Sequence, residues 1–241
     1  MENRYARQIA FREIGTDGQN KLQKAHVAII GLGALGSASA NNLVRAGVGY
    51  LRLIDSDTAD ITNLQRQMLY TEVDVADATP KAIAAAQHLR EINSTITIEP
   101  HTVRLNAENC AELLSGVDLV IDGTDNIETR YLINKTCLDL GITWVYGAAL
   151  GSTGAVMPIV PNGACFRCLF PEGIGTGESC VTRGVLGSLT MIVSSLQVTA
   201  AMKILLGKPS SELITFDIWN SAFERIEIER NPDCPDCGEI R

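Results

Sequence analysis

Residues 26–57, "HVAIIGLGALGSASANNLVRAGVGYLRLIDSD", constrain the fold more than any other stretch of this chain. "HVAII" is a short apolar run, the pattern of a strand buried on both faces. Gly31, Gly33 and Gly36 follow at once as G-x-G-x-x-G. Leu35, Ala38, Leu43 and Ala46 then recur at roughly helical spacing until Gly47 stops the helix, and "YLRLID" returns to strand. Strand, tight turn, helix and strand in this order are the unit of an open, mostly parallel sheet.

The alternation continues to about residue 150. "TPKAIAAAQHLREIN" reads as a helix with Thr79 as N-cap and Pro80 in the first turn. "TITIEP" reads as strand, "AENCAELL" as helix, "VDLVIDGT" as strand, "NIETRYLINKTCLDLG" as helix and "TWVYGAAL" as strand. Beyond it the rhythm changes: "AVMPIV", "ELITFDIW" and "FERIEIER" read as strands around one helix at 186–206. The expectation is an α/β chain: a Rossmann-like, mostly parallel sheet over 26–150, with an antiparallel C-terminal extension over 151–241. No linker rich in Pro, Gly or Ser divides it, so 1–241 reads as a single domain.

The chain has 241 residues and a net charge of −8. That charge repels a phosphate backbone at long range and disfavours nucleic acid as the main partner. The N-terminal "MENRYARQIAFREIG" lacks the apolar core of a signal peptide, so a cytoplasmic location is expected. "VLGSLTMIVSSLQVTAAMKILLG" approaches the length of a membrane span, but Gln197, Lys203 and its serines and threonines read as a buried helix and no membrane.

The first glycine of the turn permits the tight bend, the second lets backbone approach a phosphate, and the third lets helix pack on strand. Phosphate then sits at a helix N-terminus, where free N–H groups and the dipole favour anions. Asp55, ending the second strand, is placed to take ribose hydroxyls. These features leave NAD and ATP both open. In "DSDTADITNLQRQMLY", Asn63, Gln65, Arg66 and Gln67 cluster in a run too polar for core. A triphosphate needs cations there, whereas the pyrophosphate of NAD is already held by the helix. Lys81, in the first turn of its helix, opposes the helix dipole unless an anion compensates. "DGTDN" (122–126) lies at the C-terminal end of an expected parallel strand, where doubly wound sheets bind ligands. Asp125 there suits Mg²⁺, or caps the following helix.

Cys165 and Cys168 in "CFRC" and Cys234 and Cys237 in "CPDC" form two C-x-x-C pairs. Four thiolates complete a tetrahedral structural Zn²⁺ site, which would clip the terminus "NPDCPDCGEIR" to the segment after the parallel sheet. Cys110 and Cys137 fall in expected helices and read as core. Cys180 lies in the glycine-rich "GIGTGESCVTRG", where nearby Arg183 favours thiolate.

"RYARQI", "GLGALG", "DSDTADITNLQRQ", "PK", "DGTDN" and the two C-x-x-C pairs occur in this order along essentially the whole chain. In this the sequence resembles the ThiF/MoeB/HesA family, bacterial relatives of ubiquitin-activating enzymes. The resemblance implies an adenylyltransferase using ATP and Mg²⁺ to activate the C-terminal glycine of a small ubiquitin-like sulfur carrier protein, in thiamine or molybdopterin synthesis. Carried over by position, Asp55 would bind ribose, Asn63, Arg66 and Lys81 would hold phosphates, and Asp125 the metal. Asp57, Gln67 and Asn126 join the nucleotide site from the same motifs. Arg7 would reach the nucleotide of the other subunit of a homodimer, and Cys180 would take part in acyl or sulfur transfer. One departure is "VADATPK", longer than the family's glycine-containing turn before the proline. Competing readings are adenylation of a peptide C-terminus or of a modified tRNA base, a dinucleotide-dependent oxidoreductase, and a non-catalytic scaffold.

Overall fold

The computed structural model describes residues 4–171 and 184–238. Within them one sheet runs through β1 (His26–Ile30), β2 (Tyr50–Ile54), β3 (Thr97–His101), β4 (Leu119–Asp122), β5 (Thr143–Leu150), β6 (Thr153–Ile159), β7 (Leu213–Asp217) and β8 (Ala222–Ile226). Its order is β3-β2-β1-β4-β5-β6-β7-β8. Strands β1 to β5 pair parallel, and β6, β7 and β8 join antiparallel, the expected division near residue 150.

The apolar run of β1 is buried on both faces because successive side chains serve different cores. Val27 and Ile29 face one cluster, packed under α3 (Ala34–Ala46), α5 (Lys81–Ile92) and α9 (Gly187–Leu205). Ala28 and Ile30 face the other, with α6 (Cys110–Leu114), α7 (Ile127–Leu140) and α8 (Phe166–Leu169). α1 (Ala6–Ile9), α2 (Gly15–Lys24) and α4 (Glu72–Ala76) complete the α-helices among the described residues.

Helix α9 is long and apolar enough to cross a membrane. In this fold it packs on α3, β4, β5 and β6. Two of its buried side chains donate into the fold: Ser194 Oγ to the Leu35 carbonyl at 3.0 Å, and Gln197 Nε2 to the Asp122 carbonyl at 2.8 Å. The last strand is shorter than "FERIEIER" and all its residues are exposed, as befits a sheet edge.

Two local expectations are corrected. Thr79 is not the N-cap of α5: Pro80 holds that position and Lys81 is the first helical residue. Thr79's side chain makes no cap bond there, because the Lys81 N–H is already taken by the Asp57 carbonyl at 2.8 Å. Ala78 just before them has φ +49°, a left-handed conformation that a glycine adopts without strain.

Candidate functional site

The strand order reverses between β1 and β4, so their outgoing chains diverge and leave a crevice beyond their C-terminal ends. Three glycines set its floor. Gly31 has φ +80°. A Cβ on Gly36 would sit 1.8 Å from the Gly31 carbonyl oxygen, and one on Gly123 would sit 2.2 Å from that same oxygen. The turn after β1, the start of α3 and the turn after β4 therefore approach at glycine-only distances. Gly33 differs: its nearest neighbour to an added Cβ is Gln67 Nε2 at 3.8 Å. It is the N-cap of α3 without a side-chain cap, so the first N–H groups of that helix remain available to an anion in the crevice.

The cavity over this floor measures about 580 Å³. Of the residues expected at the nucleotide site, Gly31, Gly33, Asp55, Asp57, Arg66, Gln67, Lys81, Asp125 and Asn126 line it. Asp55 is tied to the glycine turn: Oδ2 accepts from the Leu32 N–H at 2.6 Å and Oδ1 from the Asp57 N–H at 2.7 Å. Burial pushes its carboxyl above the ordinary range, against the pull of these two bonds and of Lys81. Lys81 is buried, and its Nζ lies 3.5 Å from the exposed Asp57 carboxylate. Arg66 is oriented by a bond from Nη1 to the Thr62 carbonyl at 2.9 Å. Gln67 is buried with its Oε1 lacking a partner.

Arg66 and Lys81 thus line the same cavity as the open start of α3. Asp125 stands exposed at the rim, and no described residue hydrogen-bonds its carboxylate. Helix capping does not occupy it, because Asn126 is the N-cap of α7 and its Oδ1 accepts from the Thr129 N–H at 2.9 Å. An exposed carboxylate without a hydrogen bond from a described residue, beside a cavity lined by cations, has the chemistry to hold a divalent cation.

Some expected residues lie elsewhere. Asn63 is not on the cavity wall; its Oδ1 accepts from the Asp60 N–H at 3.3 Å, closing a capping box over the turn Ile61–Asn63. Gly36 acts beneath the cavity, by packing. Arg7 is exposed on α1 and does not line the cavity of its own chain. Cys180 and Arg183 lie outside the described residues.

Sequence reasoning missed Arg130, which also lines the cavity. Its Nε donates to the fully buried Asp122 carboxylate at 2.9 Å. Burial works against its charge, and Asp122, together with Tyr146 and Asp125, more than offsets this. The available signal was the acid ending the apolar run "LVID": a buried carboxylate requires a partner.

The four paired cysteines converge below β5. Cys165, Cys168, Cys234 and Cys237 place their sulfurs within 4.8 Å of one another, with contacts of 3.8, 3.6 and 3.5 Å. Thiolates around one tetrahedral Zn²⁺ stand about 3.8 Å apart, so the set is positioned to bind a metal. Asp236 braces it, accepting from Asn134 Nδ2 at 2.8 Å and pairing with Arg167 at 2.8 Å. Cys110 and Cys137 are buried core thiols, as expected.

The chain resembles known proteins throughout its length. It is 40% identical over 242 residues to the SAMP-activating enzyme E1 of Haloferax volcanii, covering 98% of this chain and 89% of that protein. It is 41% identical over 244 residues to the sulfur carrier protein ThiS adenylyltransferase of Bacillus subtilis, covering 99% of this chain and 72% of that one. Among solved structures, Escherichia coli MccB with ATP superimposes with a TM-score of 0.85 at 21% identity, over 99% of this chain and 75% of that chain; at this identity the likeness concerns the fold. The ThiF family model matches residues 5–236, and with these relatives it establishes that the chain belongs to the ThiF family.

Proposed function

We propose that this protein is an ATP-dependent adenylyltransferase that activates the C-terminal glycine carboxylate of a ubiquitin-like sulfur carrier protein, in thiamine or molybdopterin synthesis. One observation carries the reading: Arg66, Lys81 and Asp125 converge on one cavity over an uncapped helix start. Its relatives named as adenylyltransferases and activating enzymes support it.

The carrier's carboxylate is ionised at neutral pH, so attack on the α-phosphorus needs no general base. A carboxylate oxygen forms the new bond to that phosphorus as the bond to pyrophosphate breaks, giving acyl-adenylate and pyrophosphate. The obstacles are repulsion between two anions and charge gathering on the leaving group. Arg66 and Lys81 supply fixed positive charge, already oriented by Thr62 and Asp57, in a site partly shielded from water. The α3 N–H groups hold the phosphates, and Asp55 takes the ribose. Asp125 would hold Mg²⁺, which supplies further charge neutralisation at the phosphate oxygens. Zn²⁺ held by Cys165, Cys168, Cys234 and Cys237 would take no part in the chemistry; it would fasten residues 227–238 to α7 and α8.

The same reading assigns Arg7 to the nucleotide of a second subunit, in a cytoplasmic homodimer, and Cys180 to acyl or sulfur transfer after adenylation. Residues 1–241 act in it as a single domain. Incubation with ATP, Mg²⁺ and candidate carriers, followed by mass spectrometry of the carrier and by ATP–pyrophosphate exchange, tests it. Arg66→Ala is expected to cut carrier-dependent exchange by orders of magnitude. Exchange near the wild-type rate would refute its role, and absence of ATP uptake would end the proposal.

A further inference from the structure

Asp122, ending β4, is the centre of a polar knot beneath the cavity. Its Oδ1 accepts from the Thr124 N–H at 2.9 Å and the Thr124 hydroxyl at 2.6 Å, and its Oδ2 accepts from Arg130 Nε at 2.9 Å. Arg130 Nη2 donates onward to the Thr124 carbonyl at 2.7 Å and the Gly147 carbonyl at 3.0 Å. From the opposite face of the sheet Gln197 donates to the carbonyls of Asp122 at 2.8 Å and Val145 at 3.2 Å. Strand β4, the turn after it and β5 are thereby joined by one side chain from the first turn of α7.

The turn carries Asp125. Thr124 on one side is held by Arg130 and Asp122, and Asn126 on the other by its capping bond to Thr129. The backbone of Asp125 is fixed at both neighbours, while its carboxylate takes no hydrogen bond from a described residue.

We propose that Arg130 is a positioning residue, which acts through Asp122 and Thr124 to aim the Asp125 carboxylate into the cavity. The inference rests on the metal-binding role given to Asp125 above. The task requires a guanidinium: three acceptors in different directions are met by one planar fork of donors, and the compact ammonium of lysine cannot span them.

The test uses Arg130→Lys, which keeps a positive charge opposite Asp122. ATP affinity is measured by calorimetry in Mg²⁺ and in EDTA, and hydrogen exchange is followed across 123–126. Arg130→Lys is expected to weaken affinity tenfold or more in Mg²⁺ and to leave it unchanged in EDTA. Exchange in the turn should rise at least tenfold while Ile133–Leu140 stays protected. In an Asp125→Ala background Arg130→Lys should cost nothing further. An equal loss in EDTA, a multiplied loss in that background, or unaltered exchange in the turn overturns the proposal while leaving the metal reading intact. If Asp125→Ala alone keeps wild-type affinity in Mg²⁺, the metal reading falls and takes this inference with it. Should Arg130→Lys not fold, Asp122→Asn, which keeps the volume and weakens the same knot, takes its place with the same expected and overturning results.

Discussion

Lys81→Met separates stability from function, because the structure gives the lysine little reason to be there except a ligand. Its ammonium belongs to the first residue of α5, where the helix dipole opposes it by about 0.3–1 kcal/mol. The side chain is 8% exposed, so most of its hydration has been lost. Its ion pair with Asp57 is 3.5 Å long, and with Asp57's side chain 68% exposed such a pair contributes about 0.2–1 kcal/mol. Methionine fills the same channel with a flexible apolar chain. The opposing contributions predict a net change between zero and a gain of about 1 kcal/mol, a rise in Tm of no more than about 4 °C for a chain of this size. Thermal unfolding should therefore show an apo protein at least as stable as wild type. ATP and Mg²⁺ at about 100 times Kd should stabilise wild type by about 2.7 kcal/mol and the variant by almost nothing. Pyrophosphate exchange should fall at least about 100-fold, a typical loss when a fixed charge facing the transition state is removed. A Tm lowered by more than about 4 °C would refute the reasoning, because the buried ammonium would then be holding the fold. A normal ATP-induced Tm shift would refute it from the other side.

Ala78→Gly should raise stability by about 0.5–1 kcal/mol in chemical denaturation, since it relieves a side chain at φ +49°; a loss would show that the turn is unstrained. Cys237→Ser, or a strong chelator, should abolish metal binding measured by elemental analysis and open the segment after β8 to proteases while β1–β5 stay resistant, and a protected tail would deny the metal its role as clip. Asp74 supplies a pH test: burial pushes its carboxyl up, but the Thr71 N–H, His88 and the Thr71 hydroxyl more than offset this and hold it below the usual range. An acid with a depressed folded-state pKa adds stability that is complete above the unfolded value of about 3.9 and is lost as pH falls through the folded one. The stability gap between wild type and Asp74→Asn should therefore shrink below about pH 4, and a gap constant down to pH 2 would exclude the linkage.

What was legible in sequence was local in cause. The glycine spacing, the alternation of apolar strand and helix to Leu150, and the two C-x-x-C pairs each express a constraint that acts within a few residues. "TWVYGAAL" became β5 residue for residue, and nine of the twelve residues expected at the nucleotide site line one cavity. Where a neighbour in sequence competed for a role, the reading slipped. Thr79 lost the cap of α5 to Pro80, and the Asn63 side chain also closes the Ile61–Asn63 turn, a local bond its motif did not announce.

The sequence by itself determined that there would be a mostly parallel sheet, a glycine turn of the phosphate-binding pattern and four cysteines in two C-x-x-C pairs. Tertiary structure alone decided that the turns after β1 and β4 meet through Gly31, Gly36 and Gly123, and that Arg130 crosses from α7 to Asp122 and Gly147. Gly31 and Gly123 follow strands far apart in the chain, and even over the short separation of Asp122 and Arg130 no local propensity encodes the partner of a buried charge. It is found only when the strand order brings β4 between β1 and β5.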